Sequence, residues 1–238
     1  MKNIGGIVKF IKDILFPVYC LSCKKVEGKY LCQECIQTLD LTGVFECPVC
    51  HKKSLQGKIC EECKKNFYLE NEIAIFEYKE KYLISKILYE FKYNYIEDIK
   101  NILEDFIDIF LEKNLDYFSD IDYIIPVPLH KKRFTMRGYN QAKIIADILV
   151  KKINVRVEDI LIRKVNTTQQ AKLKREERLK NLLDAFEIKK DCFKIIKNKN
   201  ILLIDDVYTT GSTLNECAKI LKFNNSGKIK SFTIARGK

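Results

Sequence analysis

From residue 71 onward, short apolar runs alternate with longer stretches in which apolar residues recur every three or four positions. Uninterrupted runs such as 121–126 and 201–204 are typical of strands buried on both faces of a parallel sheet. The stretches between the runs have the periodicity of helices that bury one face. This alternation predicts an α/β fold in which helices flank a parallel sheet. Further strands are predicted at 73–76, 155–163, 185–188 and 229–235, and helices at about 82–93, 96–110, 140–151 and 214–221.

The first 16 residues form a separate amphipathic segment. Their apolar residues fall on one helical face and lysines interrupt them, so the segment lacks the core of a signal peptide. Such a helix could lie on a membrane surface or pack against its own protein, and packing is the more common use. No apolar run approaches the length of a membrane span. Because 47% of the 238 residues are hydrophobic and 32% are charged, we expect a soluble, cytoplasmic protein with a packed core.

Eight of the ten cysteines form four Cys-x-x-Cys pairs. Two residues between thiolates allow both sulfurs to contact one metal ion from a tight turn, and two such turns complete a tetrahedral site. The regular spacing of the pairs indicates an internal repeat, and therefore two successive zinc ribbons with one or two structural Zn²⁺ ions. A cross-braced arrangement, in which the first pair joins the third, is the alternative. The predicted ligands are Cys20, Cys23, Cys32, Cys35, Cys47, Cys50, Cys60 and Cys63.

Metal binding explains these cysteines better than disulfides or redox chemistry. Disulfides are typical of exported chains, and a redox role needs only one such pair. His51 directly follows Cys50 and could replace a ligand, although a bystander is the simpler interpretation. Two Zn²⁺ ions held by eight thiolates would lower the formal net charge from +11 to about +7, which still favours phosphate-rich partners. We therefore divide the chain into a helix at 1–16, a double zinc-ribbon module at 17–70 and a larger domain at 71–238.

The most informative stretch is 201–214, where an apolar run ends in Asp205 and Asp206 and then crosses a Thr/Gly/Ser loop into a helix. Gly211 allows the backbone to approach an anion closely, and the N–H groups at the start of a helix favour negative charge. Hydroxyls of the loop can donate further hydrogen bonds to phosphate oxygens. Ionised carboxylates only accept hydrogen bonds, so the aspartates suit ribose hydroxyls, directly or through hydrated Mg²⁺. The stretch therefore predicts a site for a phosphorylated sugar.

This stretch resembles the loop that binds phosphoribosyl pyrophosphate (PRPP) in the type I phosphoribosyltransferases. It matches neither a P-loop nor a dinucleotide-binding motif. An ordinary capped turn is the alternative, because 213–216 fits a capping box. A cap needs only one hydroxyl, however, and does not explain two adjacent aspartates. The predicted PRPP-binding residues of the loop are Asp205, Asp206, Val207, Tyr208, Thr209, Thr210, Gly211, Ser212 and Thr213.

Two basic stretches accompany this loop. Residues 130–141 contain four cationic side chains and no acid, and they connect a predicted strand to a predicted helix. Ligands of open α/β sheets bind at that edge, and arginine can hold pyrophosphate through two parallel hydrogen bonds. An exposed basic turn is the alternative. Residues 166–181 are also basic, and they could form a mobile lid over a charged ligand or a solvated helix.

The segments 133–141, 169–186 and 201–214, with the paired cysteines before them, resemble the ComF family of bacterial competence proteins. The resemblance implies a zinc-binding module joined to a type I phosphoribosyltransferase-like domain that takes PRPP with Mg²⁺. It also implies a role in the cytoplasmic handling of single-stranded DNA during natural transformation. Asp205 and Asp206 would contact the ribose, and they would be the catalytic residues if the protein is active. The residues implied to meet pyrophosphate or DNA phosphates are Arg133, Arg137, Lys164, Lys172 and Arg175, and Lys92 lies where the family tends to carry a lysine.

Three functions are compatible with these features. We favour a competence-related protein that binds PRPP and handles single-stranded DNA, with other competence proteins as candidate partners. An active phosphoribosyltransferase would instead displace pyrophosphate in favour of an unknown acceptor, although the sequence identifies no general base. A regulator that senses PRPP without reacting is the third. Phe134 and Tyr139 could stack on bases in a DNA-binding surface or belong to the core.

Overall fold

The computed structural model describes residues 17–26, 28–65, 67–77, 83–94, 97–165 and 185–237. The helix predicted for 1–16 and the basic stretch at 166–181 lie outside these residues. The described strands are β1 (Asn71–Glu77), β2 (Tyr123–Pro126), β3 (Arg156–Val157), β4 (Leu161–Arg163), β5 (Phe186–Ile188), β6 (Ile201–Tyr208) and β7 (Ile229–Arg236). The described α-helices are α1 (Gln33–Gln37), α2 (Glu61–Lys64), α3 (Leu83–Tyr93), α4 (Glu97–Asn114), α5 (Lys131–Arg137), α6 (Gln141–Ile153), α7 (Phe193–Ile196) and α8 (Ser212–Phe223).

Five strands form a parallel sheet in the order β1–β7–β6–β2–β3. All eight residues of β7 and the first four of β6 are buried, as expected for a sheet covered on both faces. Helices α6 and α8 pack their apolar faces against the sheet, and α8 buries the predicted Leu214, Cys217, Ala218 and Leu221. The predicted α/β fold is therefore confirmed. None of the helices within the described ranges is both long enough and apolar enough to cross a membrane.

Two local predictions were wrong. The strand expected at 155–163 is divided, because β3 joins the parallel sheet whereas β4 pairs with β5 in a separate antiparallel hairpin. Polar residues Glu158 and Asp159 interrupt the apolar pattern at the point where the chain changes sheets. The basic loop at 130–141 contains helix α5, whose lysines and arginines are good helix formers. His130 caps α5 by accepting a hydrogen bond from Lys132 N, and Gly138 ends it with a φ of 79°.

The cysteine-containing segment covers β1, which would otherwise be an exposed edge of the sheet. Val44 N donates to Ala74 O at 2.9 Å, and Ile59 N donates to Glu70 O at 3.0 Å. A paired edge is protected from pairing with other chains. The apolar core is continuous from this segment into the sheet. The division of the chain into a module at 17–70 and a domain at 71–238 therefore stays a prediction, although β1 does begin at Asn71.

A buried ion pair joins this segment to the two strands at that side of the sheet. Glu72 of β1 and Arg236 of β7 are 0% and 1% exposed and contact each other directly. The guanidinium of Arg236 also donates to the carbonyl oxygens of Glu72, at 2.9 Å, and Glu46, at 3.3 Å. Burial lowers the pKa of Arg236 to about 10, so its side chain is still charged at neutral pH. Thr233 donates to the second oxygen of the Glu72 carboxylate at 3.0 Å.

Removing one partner of this pair should destabilise the protein strongly. We expect Arg236→Leu to lower the free energy of unfolding by about 3–5 kcal/mol, because Glu72 would remain buried without its cation. Urea unfolding of the full chain measures the change. The double variant Glu72→Leu/Arg236→Leu, which leaves no buried charge, should lose less. If the double variant is less stable than Arg236→Leu, the unpaired carboxylate of Glu72 is not the cause of the destabilisation.

Candidate functional site

A cavity of about 660 Å³ opens at the carboxyl edge of the parallel sheet, beside the ends of β2 and β6. This edge is where open α/β sheets bind their ligands. Two carboxylates of β6 and four cations from three other elements line the cavity. It therefore combines acceptors for hydroxyl groups with a surplus of positive charge. The carboxylates are Asp205 and Asp206, and the cations are Lys92, Arg133, Arg137 and Arg163.

The two aspartates have different environments. Asp205 accepts a hydrogen bond from the backbone N–H of Asp206 at 2.9 Å. Burial of its carboxyl and the adjacent charge of Asp206 raise the pKa of Asp205 to about 7, against the opposing effects of that hydrogen bond, Lys92 and Arg163. Asp205 therefore holds a proton more readily than an ordinary aspartate does. A bound cation would favour the ionised form, and a nearby acceptor would favour the protonated one.

Lys92 of α3 holds the second aspartate in place. Its Nζ lies 3.0 Å from Oδ2 of Asp206, and the two side chains are 21% and 13% exposed. Burial by itself would lower the pKa of Lys92, but the charges of Asp206 and Asp205 outweigh it and raise the pKa. The lysine therefore stays charged and partly neutralises the acidic side of the cavity. The hydrogen bond and the ion pair leave further lone pairs on both carboxylates for a ligand.

The loop after β6 leads directly into α8, and it depends on Gly211. This residue has a φ of 72°, and a Cβ at this position would overlap the hydroxyl of Tyr208. Gly211 is the N-cap of α8 and provides no side-chain cap, so Thr213 lies inside the first turn. The capping-box interpretation is therefore wrong. Backbone N–H groups at the start of α8 can serve an anion instead.

The structure separates the predicted loop residues into two groups. Val207, Thr209 and Thr213 line the cavity together with the two aspartates. Tyr208 is only 1% exposed, and its hydroxyl lies against Gly211 of the loop. The hydroxyls of Thr210 and Ser212 lie 2.7 Å apart and share a hydrogen bond, which stabilises the turn. Fewer hydroxyls than expected are thus directed at a ligand in this conformation.

Arginines and one buried amide form another part of the cavity wall. Arg137 donates to Oε1 of Gln141 at 3.0 Å, so the amide nitrogen of Gln141 points away from Arg137. Gln141 is 2% exposed and lines the cavity, yet its Nε2 has no hydrogen-bond partner among the described residues. Buried donors are rarely left unpaired in folded proteins. The arrangement therefore suits a ligand that supplies an acceptor atom at this wall.

Sequence reasoning did not identify Gln141 or Arg163 as ligand residues. Gln141 appeared only as the end of a motif, and its position at the first turn of α6 was the available signal. Arg163 ends the short strand β4, and the sequence gives no indication that this strand approaches β6. Burial and the charge of Arg133 lower the pKa of Arg163, and burial and the charge of Arg137 lower the pKa of Arg133. An anion between these arginines would relieve their mutual repulsion.

The other predicted cations and aromatic residues are not among the described residues that line the cavity. Lys164 pairs with Glu187 at 2.5 Å on the β4–β5 hairpin, and it is not part of the cavity lining. Lys172 and Arg175 belong to the stretch outside the described residues. Tyr139 packs against Phe91 and donates its hydroxyl to the carbonyl of that residue, so its ring is part of the packing. Phe134 is 50% exposed on α5.

The eight paired cysteines form two groups that follow the sequence order. In each group the four sulfurs lie within 4.8 Å of one another, and each group could hold one metal ion. The Sγ atoms of Cys23 and Cys32 are 3.7 Å apart, as are those of Cys50 and Cys60. A tetrahedral zinc site with Zn–S bonds of about 2.3 Å requires sulfurs about 3.8 Å apart. The donor sets therefore fit Zn²⁺, and the pairing is sequential, not cross-braced.

The two metal groups repeat the same local structure. In each, the first two cysteines belong to a tight turn that ends in a residue with positive φ, 65° at Lys24 and 61° at His51. The last two cysteines are at α1 in the first group and at α2 in the second, and each of these helices begins directly after a cysteine. His51 is not a member of either group, and its Nδ1 lies 3.7 Å from the carboxylate of Glu46. The predicted internal repeat is thus present in three dimensions.

Comparisons with known proteins agree with the fold. Residues 92–238 match the family model described as the phosphoribosyl transferase domain, which places the larger part of the chain in that class. The chain is 30% identical over 209 residues to competence protein ComFC of Streptococcus pneumoniae, and the match covers 87% of each protein. It is 28% identical over 221 residues to competence protein ComFC of Bacillus subtilis, covering 87% of this chain and 84% of that protein. The chain belongs to the ComF family of competence proteins.

A third relative has a different name. The DNA utilization protein YhgH of Escherichia coli O6:H1 is 30% identical over 117 residues. This match covers 48% of the chain and 49% of the relative, so it concerns about half of each protein.

The sequential pairing of the cysteines can be tested by zinc content. We expect two Zn²⁺ ions per chain in the wild type. In Cys20→Ser/Cys32→Ser both substitutions fall in one group, so one ion should remain. In Cys20→Ser/Cys47→Ser they fall in different groups, so both sites should bind weakly. Zinc released to a colorimetric chelator measures both variants, and the reverse result would indicate cross-bracing.

Proposed function

We propose that this chain is a competence-related protein whose phosphoribosyltransferase-like domain binds PRPP with Mg²⁺. We further propose that it acts in the uptake and cytoplasmic handling of single-stranded DNA during natural transformation. The observation that carries the proposal is the meeting, in one cavity, of an aspartate pair, the N-terminus of α8 and three arginines. PRPP has a counterpart for each of them: ribose hydroxyls, a 5′-phosphate and a pyrophosphate.

Each part of PRPP would meet a distinct set of groups. The 5′-phosphate suits the N–H groups at the start of α8 and the hydroxyls of Thr209 and Thr213. The ribose hydroxyls suit the carboxylates of Asp205 and Asp206. The pyrophosphate suits the arginines, because arginine pairs well with phosphate oxygens, and the amide nitrogen of Gln141, which has no partner among the described residues. Mg²⁺ would neutralise part of the phosphate charge, with hydrated contacts to the acidic side.

The DNA-handling part of the proposal has separate support. Two relatives are named as competence proteins and one as a DNA utilization protein, and the names describe those proteins. In this chain the formal net charge of +11 favours binding to polyanions. Two structural Zn²⁺ ions would stabilise the segment that covers β1, since a small segment buries little apolar surface by itself.

One observation favours a second candidate, an active phosphoribosyltransferase. Burial and the adjacent charge of Asp206 raise the pKa of Asp205, so this cavity carboxylate takes up a proton more readily than an ordinary aspartate. In such a reaction an acceptor N–H nucleophile forms a bond to C1 of PRPP while the C1–oxygen bond to pyrophosphate breaks. Pyrophosphate leaves with the electron pair, and the proton of the acceptor goes to the carboxylate of Asp205. Arg133, Arg137 and Arg163, which line the cavity, would stabilise the negative charge of the departing pyrophosphate.

Thermal unfolding with and without PRPP tests the sugar-phosphate site. At PRPP and Mg²⁺ concentrations 100-fold above the dissociation constant, the wild type should gain about 2.7 kcal/mol of stability and unfold several degrees higher. Asp205→Asn/Asp206→Asn should lose most of this gain, because both ribose acceptors become amides.

The matched control is Asp147→Asn, which alters a surface aspartate paired with Lys143 on α6. It should respond to PRPP like the wild type. An equal PRPP response in the double variant would contradict the assignment of the aspartates, and no response in the wild type would contradict PRPP binding itself.

A further inference from the structure

Two exposed tyrosines lie beside the cavity and have no role in the core. Helix α3 buries Ile84, Ile87, Leu88 and Phe91, which form its packing face. Tyr89 and Tyr93 lie four residues apart on another face and are 57% and 53% exposed. Their ring centroids are 4.8 Å apart with an angle of 44° between the planes. Two adjacent, solvent-exposed aromatic rings therefore need an explanation other than folding.

The same helix connects these rings to the cavity. Lys92, next to Tyr93, forms the ion pair with Asp206 in the cavity wall. The guanidinium of Arg137 lies 5.4 Å from the centre of the Tyr93 ring, and Arg137 also lines the cavity. The guanidinium of Arg133 is close enough to Tyr93 for an electrostatic interaction between the two side chains. The rings therefore lie at the rim of the cavity, among cations.

We infer that Tyr89, Tyr93 and Arg137 form a platform on which unstacked bases of a single-stranded nucleic acid bind, next to the mouth of the cavity. This tyrosine platform rests on the DNA-handling part of the proposed function and gives it a location. Single-stranded nucleic acid combines planar bases, which stack on aromatic rings, with phosphates, which pair with cations. Tyrosine rings with cations beside them fit this combination better than they fit an apolar protein surface.

The inference also distinguishes two contributions to the affinity for single-stranded DNA. Stacking on the rings requires bases, whereas the cations need only phosphates. An oligonucleotide of abasic nucleotides has the same backbone charge as a normal one of equal length but cannot stack. The wild type should therefore bind a 20-nucleotide oligothymidine about 10-fold or more tightly than its abasic counterpart.

Fluorescence anisotropy with these two labelled oligonucleotides tests the inference on the zinc-loaded full chain. Tyr89→Leu/Tyr93→Leu should bind oligothymidine about 10-fold or more weakly and bind the abasic strand as the wild type does. Its dependence on salt should be unchanged, because no phosphate contact is removed. Tyr89→Phe/Tyr93→Phe should retain wild-type affinity, since the rings remain.

Phe223 provides a matched control on another surface. It is 66% exposed, and Lys219 lies 6.0 Å from its ring centre, but it belongs to the last turn of α8, away from the cavity mouth. Phe223→Leu should bind both oligonucleotides normally. Loss of affinity in Phe223→Leu equal to that in the tyrosine double variant would overturn the inference, and so would wild-type affinity in that double variant. If the wild type binds neither oligonucleotide, the DNA-handling proposal fails as well, whereas stabilisation by PRPP is measured independently.

Discussion

The buried contact between Glu72 and Arg236 is the constraint on which the arrangement of the molecule depends. It joins β1 to β7, and through the carbonyl of Glu46 it holds the second cysteine group against the sheet. The same guanidinium lies 5.7 Å from the centre of the Tyr208 ring, which supports Gly211. A buried charge needs a fixed partner, so these groups have little freedom to move independently. The metal-binding segment and the loop of the candidate site are therefore both positioned by contacts with Arg236.

The candidate site is formed by the end of β6 and by the elements that lie next to it. Parallel strands β2 and β6 end at the same edge, where β6 presents the aspartate pair and the segment after β2 leads to the arginines of α5. The cavity holds opposite charges: Lys92 is paired with Asp206, and the guanidinium groups of Arg133 and Arg137 are close enough to repel each other. Crowded cations and the amide nitrogen of Gln141, which has no partner within the described part of the chain, both favour a ligand that brings acceptors and negative charge.

The sequence predicted the features that depend on local pattern. Apolar runs identified the buried strands, the spacing of cysteines identified two metal groups, and Asp205 and Asp206 were recognisable beside a glycine-containing loop. Features that depend on distant contacts were missed, including the position of Arg163, the burial of Gln141 in the cavity wall and the exposure of Tyr93. Tyr139 was a plausible stacking residue by sequence, yet only the structure reveals that it packs on Phe91. A short basic stretch also gave no sign of whether it would be loop or helix, since lysine and arginine suit both.

The central claim is that the end of β6 receives a phosphorylated pentose whose hydroxyl groups contact the aspartate pair. Titration calorimetry with ribose 5-phosphate and 2-deoxyribose 5-phosphate tests it most directly, because the two sugars have the same phosphate and differ in one hydroxyl. A hydrogen bond to a carboxylate contributes about 1.5–3 kcal/mol, so ribose 5-phosphate should bind about 10-fold or more tightly. Equal affinities for the two sugars would contradict the claim.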